Sequence, residues 1–243
     1  MHYNWNWNIF FEPSLDGSGT YLNTLVMGLR WTITTALCAW VLAFLLGSLV
    51  GVMRTVPSKR AQGFARAYVE LFRNIPLVVQ LFLWYFVLPE ILPVSAGAWL
   101  KQLPNNSFWT AVVGIAFYTS ARVAEQLRAA INAQPKGQGQ AGMALGFSTA
   151  QTYRYVLLPM AYRMILPPIT SEFLSAIKNT SVALTIGLVE LTSSAYAIQE
   201  QSFQFFEAFS AATLIYLTLN TLVTMGMRQL EKQTAVPGYL TGK

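Results

Sequence analysis

Apolar runs long enough to cross a bilayer recur five times along the chain, at 24–53, 63–88, 108–131, 164–188 and 205–227, with polar stretches between them. A spanning helix needs about 20 mostly apolar residues, so the pattern predicts an all-α membrane protein of five transmembrane helices. Punctuation within the runs predicts irregularities. Pro76 falls inside the second run and Pro167-Pro168 near the start of the fourth. Proline lacks the N–H donor and crowds the preceding turn, which permits a kink; for Pro167-Pro168 a late helix start is an equal reading. Unpaired carbonyls are costly in lipid, so any such bend is expected to face protein or a water-filled cavity. The longest polar stretch, 132–159, joins the third and fourth runs, 1–23 precede the first, and 232–243 form a tail. No segment resembles a detachable soluble domain.

Charge gives the runs a direction. Arg54, Lys59, Arg60 and Arg66 follow the first run, and Arg128, Lys136, Arg154 and Arg163 lie in a stretch without Asp or Glu between Glu125 and Glu172. Lys and Arg in short loops favour the cytoplasmic side, so both loops are expected there. Residues 1–23 carry Glu12 and Asp16 without Lys or Arg, and the last external loop carries Glu190, Glu200 and Glu207. Five spans then place the N-terminus outside and the C-terminus, with Arg228 and Lys232, in the cytoplasm. The N-terminus has no basic region ahead of its first apolar run, which argues against a cleaved signal. Trp5, Trp7, Phe10 and Phe11, interleaved with polar residues, have a composition suited to the headgroup layer.

Composition agrees with the spans: of 243 residues, 54% are hydrophobic and 11% charged, too little charge for an ordinary soluble domain of this size. The net charge of +6 is distributed along membrane boundaries instead of one groove-sized patch, which argues against nucleic acid. The lone Cys38 cannot form an intramolecular disulfide, and a single thiolate argues against a thiolate metal site. No phosphate-binding Gly-x4-Gly-Lys-Ser/Thr motif occurs, and the one histidine is His2 at the terminus. The chain is therefore expected to bind no cofactor and to catalyse no reaction alone.

Ionisable groups within apolar runs mark functional or internally paired positions. Glu70 and Arg73 are three apart and within reach of each other on a helix, the arrangement of a structural pair. Arg122 lies roughly 21 Å along the axis from Phe108, where its planar donor fork suits a substrate carboxylate. Pairing with Glu125 and snorkelling to the cytoplasmic interface are its other readings. In the fourth run Ser171, Ser175 and Lys178, with Glu172 and Asn179 on an overlapping face, form a polar stripe that belongs inside a bundle. Lys178 would need a carboxylate such as Glu172, a carbonyl cluster or water.

The stretch 140–159, QAGMALGFSTAQTYRYVLLP, resembles the coupling loop of bacterial ATP-driven importer permeases: Glu-Ala-Ala, three residues, Gly, nine residues, then Ile-x-Leu-Pro. Here Gln140, Ala141, Gly142, Gly146, Val156, Leu158 and Pro159 keep the register, with Gln in place of the acidic residue and Gly in place of the second alanine. Gly142 and Gly146 permit close backbone approach, and Pro159 marks the exit. Three further stretches, YVELFRNIPLVVQL at 68–81, FYTSARVAEQLRAAINAQPKGQ at 117–138 and LPPITSEFLSAIKNTS at 166–181, are similar to the polar amino-acid branch of that family. The N-terminal NWNWNIFFEP, the Arg122 segment and YRYVLLPMAYR carry a narrower resemblance to a permease subunit of a glutamate/aspartate importer.

The resemblance implies a type-1 transmembrane domain over 24–231, in a multi-pass protein of the bacterial inner membrane. It implies pairing with a second permease subunit, two cytosolic ATPases that hold ATP and Mg, and a periplasmic solute-binding protein that delivers an amino acid. Family members more often carry a neutral or aromatic residue at the position of Arg122 and an acid at that of Asn179. Both departures make the local potential more positive, which suits a dicarboxylic substrate. The expected substrate path is Arg122, Ser175, Lys178 and Asn179. Glutamine or another polar amino acid is the alternative cargo, and an ion-driven secondary carrier is the alternative class by hydropathy alone.

Overall fold

The computed structural model describes residues 3–15, 17 and 19–234. His2, Asp16 and the tail beyond Thr234, all named above, lie outside the described residues. A 3-10 turn, Trp7–Phe11, opens the chain, and α1 (Tyr21–Met53), α2 (Lys59–Asn74), α3 (Leu77–Phe82), α4 (Leu88–Ile91) and α5 (Val94–Gln102) follow. Next come α6 (Asn106–Ala133), α7 (Lys136–Ala144), α8 (Thr149–Thr152), α9 (Leu158–Asn179), α10 (Leu191–Ser202) and α11 (Phe205–Thr234). No strand is present among the described residues.

By length and composition, α1 and α11 can each cross a membrane alone, and two broken helix pairs qualify jointly. The first is α2 with Leu77–Ile91. Ser58 caps α2 through the Ala61 N–H at 3.4 Å, and Ile75, ahead of Pro76, is extended with φ −97° and ψ 128°, as the steric demand of a following proline requires. The apolar run 63–88 is thus two helices interrupted where Pro76 lies. The second pair is Thr149–Ile186 with Leu191–Ser202. The residues 189–204 expected as an external loop are mostly helix α10. Pro167 and Pro168 lie inside α9, which starts nine residues before Pro167, so the late-start reading is wrong. The expected segment 108–131 is covered by the single helix α6.

Two π turns have a common cause. Leu88 N–H bonds back to Leu83 O, and Leu158 N–H to Tyr153 O. In each case the next residue is proline, Pro89 or Pro159. A proline lacks its own N–H and its ring clashes with the carbonyl four residues back, here Tyr85 and Tyr155. The wider turn moves that carbonyl aside.

The described residues form two compact units. One comprises those of Met1–Trp40, Pro76–Ala116 and Ser175–Leu222. Its core joins Ile9, Tyr21, Leu25, Leu191, Ala195, Ile198, Ala208 and Ala212. Leu191, Ala195 and Ile198 follow the i, i+4, i+7 spacing of one helix face. Gly28 lets α1 approach α10, since a Cβ there would fall 2.2 Å from Ser194 Oγ and 2.9 Å from Leu191 Cα. Glu190, fully buried, caps α10 by accepting from the N–H groups of Thr192 at 3.0 Å and Ser193 at 2.8 Å, and it also accepts from Tyr216 Oη at 2.7 Å.

The other unit comprises the described residues of Val41–Ile75, Phe117–Leu174 and Val223–Lys243. Small residues set its packing. A Cβ on Gly47 would lie 2.6 Å from that of Val123, and one on Gly51 would lie 2.9 Å from Ala124 O. Two glycines a helical turn apart therefore bring α1 against α6, the close approach favoured where packing rather than hydrophobic transfer holds membrane helices together. Val50, Ala65, Val69 and Ala124 fill the adjoining core. Tyr68 Oη lies 2.7 Å from Ser120 Oγ, which donates to Phe117 O at 2.8 Å, so Tyr68 is the donor between the two hydroxyls.

Candidate functional site

Within that second unit α2, α6 and α9 line an open cavity of about 370 Å³, with Arg73, Arg122, Glu125, Gln126 and Glu172 at its walls. Arg122, Glu125 and Gln126 project from one stretch of α6, and Glu172 comes from α9. Arg122 Nη1 stands 3.9 Å from Glu172 Oε2, a long ion pair. Its other terminal nitrogen donates to Tyr118 Oη, one turn earlier, and the guanidinium lies over the Tyr118 ring, 4.5 Å from the centroid. Gln126 Nε2 donates to Glu172 Oε1 at 3.1 Å.

Glu125 is engaged elsewhere. It accepts from Arg54 Nη1 at 2.5 Å and from Arg128 Nε at 2.8 Å, with a second bond from Arg128 Nη2. Two guanidiniums therefore saturate Glu125, whereas Glu172 meets Arg122 only loosely. Arg122 retains donor capacity toward the cavity, and its side chain is 38% exposed.

These partners correct three expectations. No ion pair joins Glu70 to Arg73 among the described residues; both side chains are exposed, where a pair gains little over water, and Arg73 lines the cavity. Arg122 pairs with Glu172 instead of Glu125, because Arg54 and Arg128 occupy Glu125. Glu172 takes Gln126 and Arg122 as partners rather than Lys178. Ser175, Lys178 and Asn179 belong to the other unit, at the end of α9, where a 3-10 turn, Thr180–Ile186, takes over. Ser175 and Asn179 are half-buried, but Ser171 and Lys178 are exposed on this chain. The polar stripe is not enclosed by these helices alone. Gln126 and Arg54 were not singled out by sequence reasoning for this site; Arg54 carries only the signal of a boundary arginine, and its partner lies 71 residues away.

The loop between α6 and α9 has its own geometry. Gly142 is buried against α8: a Cβ there would lie 3.2 Å from both Thr152 Oγ1 and Thr152 Cγ2. Gly146 acts differently from the expected close approach, since nothing lies within 4 Å of its Cβ position and its φ is +85°. It supplies the left-handed conformation that ends α7. Ser148 and Gln151 then form a reciprocal capping box that starts α8. Gln134 Nε2 donates to Leu157 O at 2.9 Å, tying the end of α6 to the π turn. Gln140, Ala141 and Pro159 are exposed, Leu158 is half-buried, and Met143, Leu145 and Tyr155 leave apolar surface open to solvent.

A profile of the binding-protein-dependent transport system inner membrane component family matches residues 43–236. The chain belongs to that family. It is 44% identical over 246 residues, covering all of both chains, to the glutamate/aspartate import permease protein GltJ of Escherichia coli strain K12. It is 33% identical to a probable glutamine ABC transporter permease protein, GlnM, of Bacillus subtilis strain 168, over 85% of this chain and 91% of that one. The crystal structure of an amino acid ABC transporter with histidines contains a chain that superposes with a TM-score of 0.74 at 29% identity, covering 88% of this chain and 95% of that one. An inward-facing MetNI methionine ABC transporter gives a TM-score of 0.73 at 19% identity over 88% of this chain and 98% of that one, which shows the shared fold. The all-helical architecture is that of the type-1 importer permeases, and the chain is a membrane transport component.

Proposed function

We propose that this chain is one permease subunit of an ATP-driven importer of acidic amino acids, and that Arg122 receives a substrate carboxylate in the cavity it shares with Glu172. The carrying observation is the charge distribution. Among the described residues Arg73 and Arg122 line this cavity with Glu125 and Glu172, and Glu125 is taken by two further arginines, Arg54 and Arg128. A dicarboxylic amino acid brings two carboxylates and one ammonium. One carboxylate can displace Glu172 from its long contact with Arg122, Arg73 adds attraction for the other, and Glu172 remains for the ammonium. Glutamate or aspartate therefore fits this balance better than neutral glutamine, in keeping with the name of the 44% identical relative.

In this reading five spans cross the inner membrane, the N-terminus is periplasmic and the C-terminus cytoplasmic. A second permease subunit completes the path along Ser175, Lys178 and Asn179 and covers the exposed side chains of Ser171 and Lys178. A periplasmic binding protein delivers the substrate, and two cytosolic ATPases bind ATP and Mg and engage 140–159. ATP binding supplies the bias between inward- and outward-open states; moving such an equilibrium from 1:99 to 99:1 takes about 5.5 kcal/mol of differential binding. Uptake of labelled glutamate, aspartate and glutamine into proteoliposomes holding the assembled complex tests this function. ATPase-dependent uptake of the acidic pair is the expected result. Uptake of glutamine alone rejects the acidic cargo, and ATP-independent uptake by this chain rejects the importer.

A further inference from the structure

We propose that the N-terminal segment is a lipid-facing anchor, in which Glu207 clamps an aromatic collar to the start of α11 and holds it in the phospholipid headgroup layer. Glu207 lies in the first turn of α11 and is 0% exposed, although no cation pairs with it among the described residues. Its carboxylate is satisfied by the N-terminal segment. Tyr3 Oη donates to Oε2, and the Asn6 backbone N–H donates to Oε1 at 2.8 Å. The positive end of the α11 macrodipole favours a carboxylate at this place.

That clamp fixes the position of several rings. Tyr3 packs edge-on against Phe206 at 4.7 Å and Phe205 at 5.6 Å between centroids, and Trp5 lies 5.6 Å from Phe206. Trp7 stacks on Trp5 at 5.9 Å with an interplanar angle of 8°. The outer faces remain uncovered: Trp5 is 55% exposed, Trp7 50% and Phe203 78%.

The occupant follows from continuity with α11. That helix is long and apolar enough to cross a membrane, so its first turn, with Phe205 and Phe206, stands at a membrane boundary. Trp5 touches Phe206 and is carried to the same depth. Amphipathic Trp rings concentrate at that depth because one part is apolar and the indole N–H remains wet. Below the collar, an open groove of about 440 Å³ follows α11 along Phe205, Phe206, Phe209, Ser210, Thr213 and Leu214. Its lining is predominantly apolar, as an acyl chain requires, beneath the rings that would meet its headgroup. Residues 1–23 contain neither Lys nor Arg, so the anchor works through aromatic partition instead of attraction to anionic lipid.

The test uses the assembled complex in nanodiscs made with phosphatidylcholine brominated either near the headgroup or deep in the acyl chains. The emission of Trp5 and Trp7 is obtained by subtracting Trp5→Phe and Trp7→Phe variants, singly and together. At least twofold stronger quenching by shallow than by deep bromines is expected. Tyr3→Phe, which removes one bond to Glu207 while keeping the ring, should reduce the shallow quenching. Emission unaffected by bromine at either depth overturns the proposal, as does shielding of both rings from aqueous acrylamide only after the soluble binding protein is added.

Discussion

Arg54 Nη1 and Glu125 Oε2 meet at 2.5 Å, joining the residue just beyond α1 to the middle of the cytoplasmic half expected for α6. Their side chains are 15% and 25% exposed, in contrast to 51% and 66% for the Lys101–Glu90 pair. A shielded charged bond contributes more than a solvated one, which is typically worth less than about 1 kcal/mol. Arg54→Ala is therefore expected to lower complex stability by about 1–3 kcal/mol, while Lys101→Ala leaves it nearly unchanged. Thermal unfolding of the purified complexes in one detergent compares them; equal shifts would remove Arg54 from the account.

Gly146 ends α7 with φ +85°, a conformation that costs an ordinary L-residue roughly 1–2 kcal/mol. Space is not the constraint there. Gly146→Asn should thus retain more coupled uptake than Gly146→Ala, because Asn tolerates the left-handed region better, although Ala is smaller. The amount of substrate transported per ATP hydrolysed provides the comparison. A ranking by side-chain size would assign Gly146 a packing role instead.

Glu172 competes with substrate for Arg122 in the proposed mechanism. Glu172→Gln keeps a polar side chain beside Gln126 and removes the competing charge, but also removes the partner proposed for the substrate ammonium. At saturating loaded binding protein, release from the cavity should slow and maximal glutamate uptake should fall severalfold, with a smaller effect for glutamine. Equal losses for both cargoes would point to structural damage around the Gln126 bond.

Different parts of the chain were legible for different reasons. Long apolar runs disclosed α1, α6 and α11, and Pro76 marked an irregularity in 63–88, because length and a missing N–H are local properties, although the kink expected there is a full break between α2 and α3. Helix α10 was hidden: of its four buried residues only Leu191, Ala195 and Ile198 are apolar, the fourth being Ser194, and most of the rest are Ser, Thr, Gln and Glu. Its start was visible in principle, since Glu190 directly precedes that face. The Gly142-to-Pro159 register was readable, although the conformational role of Gly146 required its φ. Charge partners were the least legible feature. Spacing brought Glu70 within reach of Arg73 and Glu125 within reach of Arg122, but spacing cannot decide between a local partner and one supplied by another helix. Arg54 and Glu172 settled that choice from far along the chain.

The most direct measurement is glutamate and glutamine uptake by complexes carrying Arg122→Gln or Arg122→Lys, with assembly and ATP hydrolysis measured on the same preparations. A charge-assisted hydrogen bond contributes about 1.5–3 kcal/mol, so Arg122→Gln should lower glutamate uptake by about tenfold or more, with glutamine uptake much less affected. Arg122→Lys should fall between, since it keeps the charge without the planar fork. Unchanged glutamate kinetics in Arg122→Gln, in an assembled complex that still hydrolyses ATP, would contradict the assignment of this cavity to the substrate.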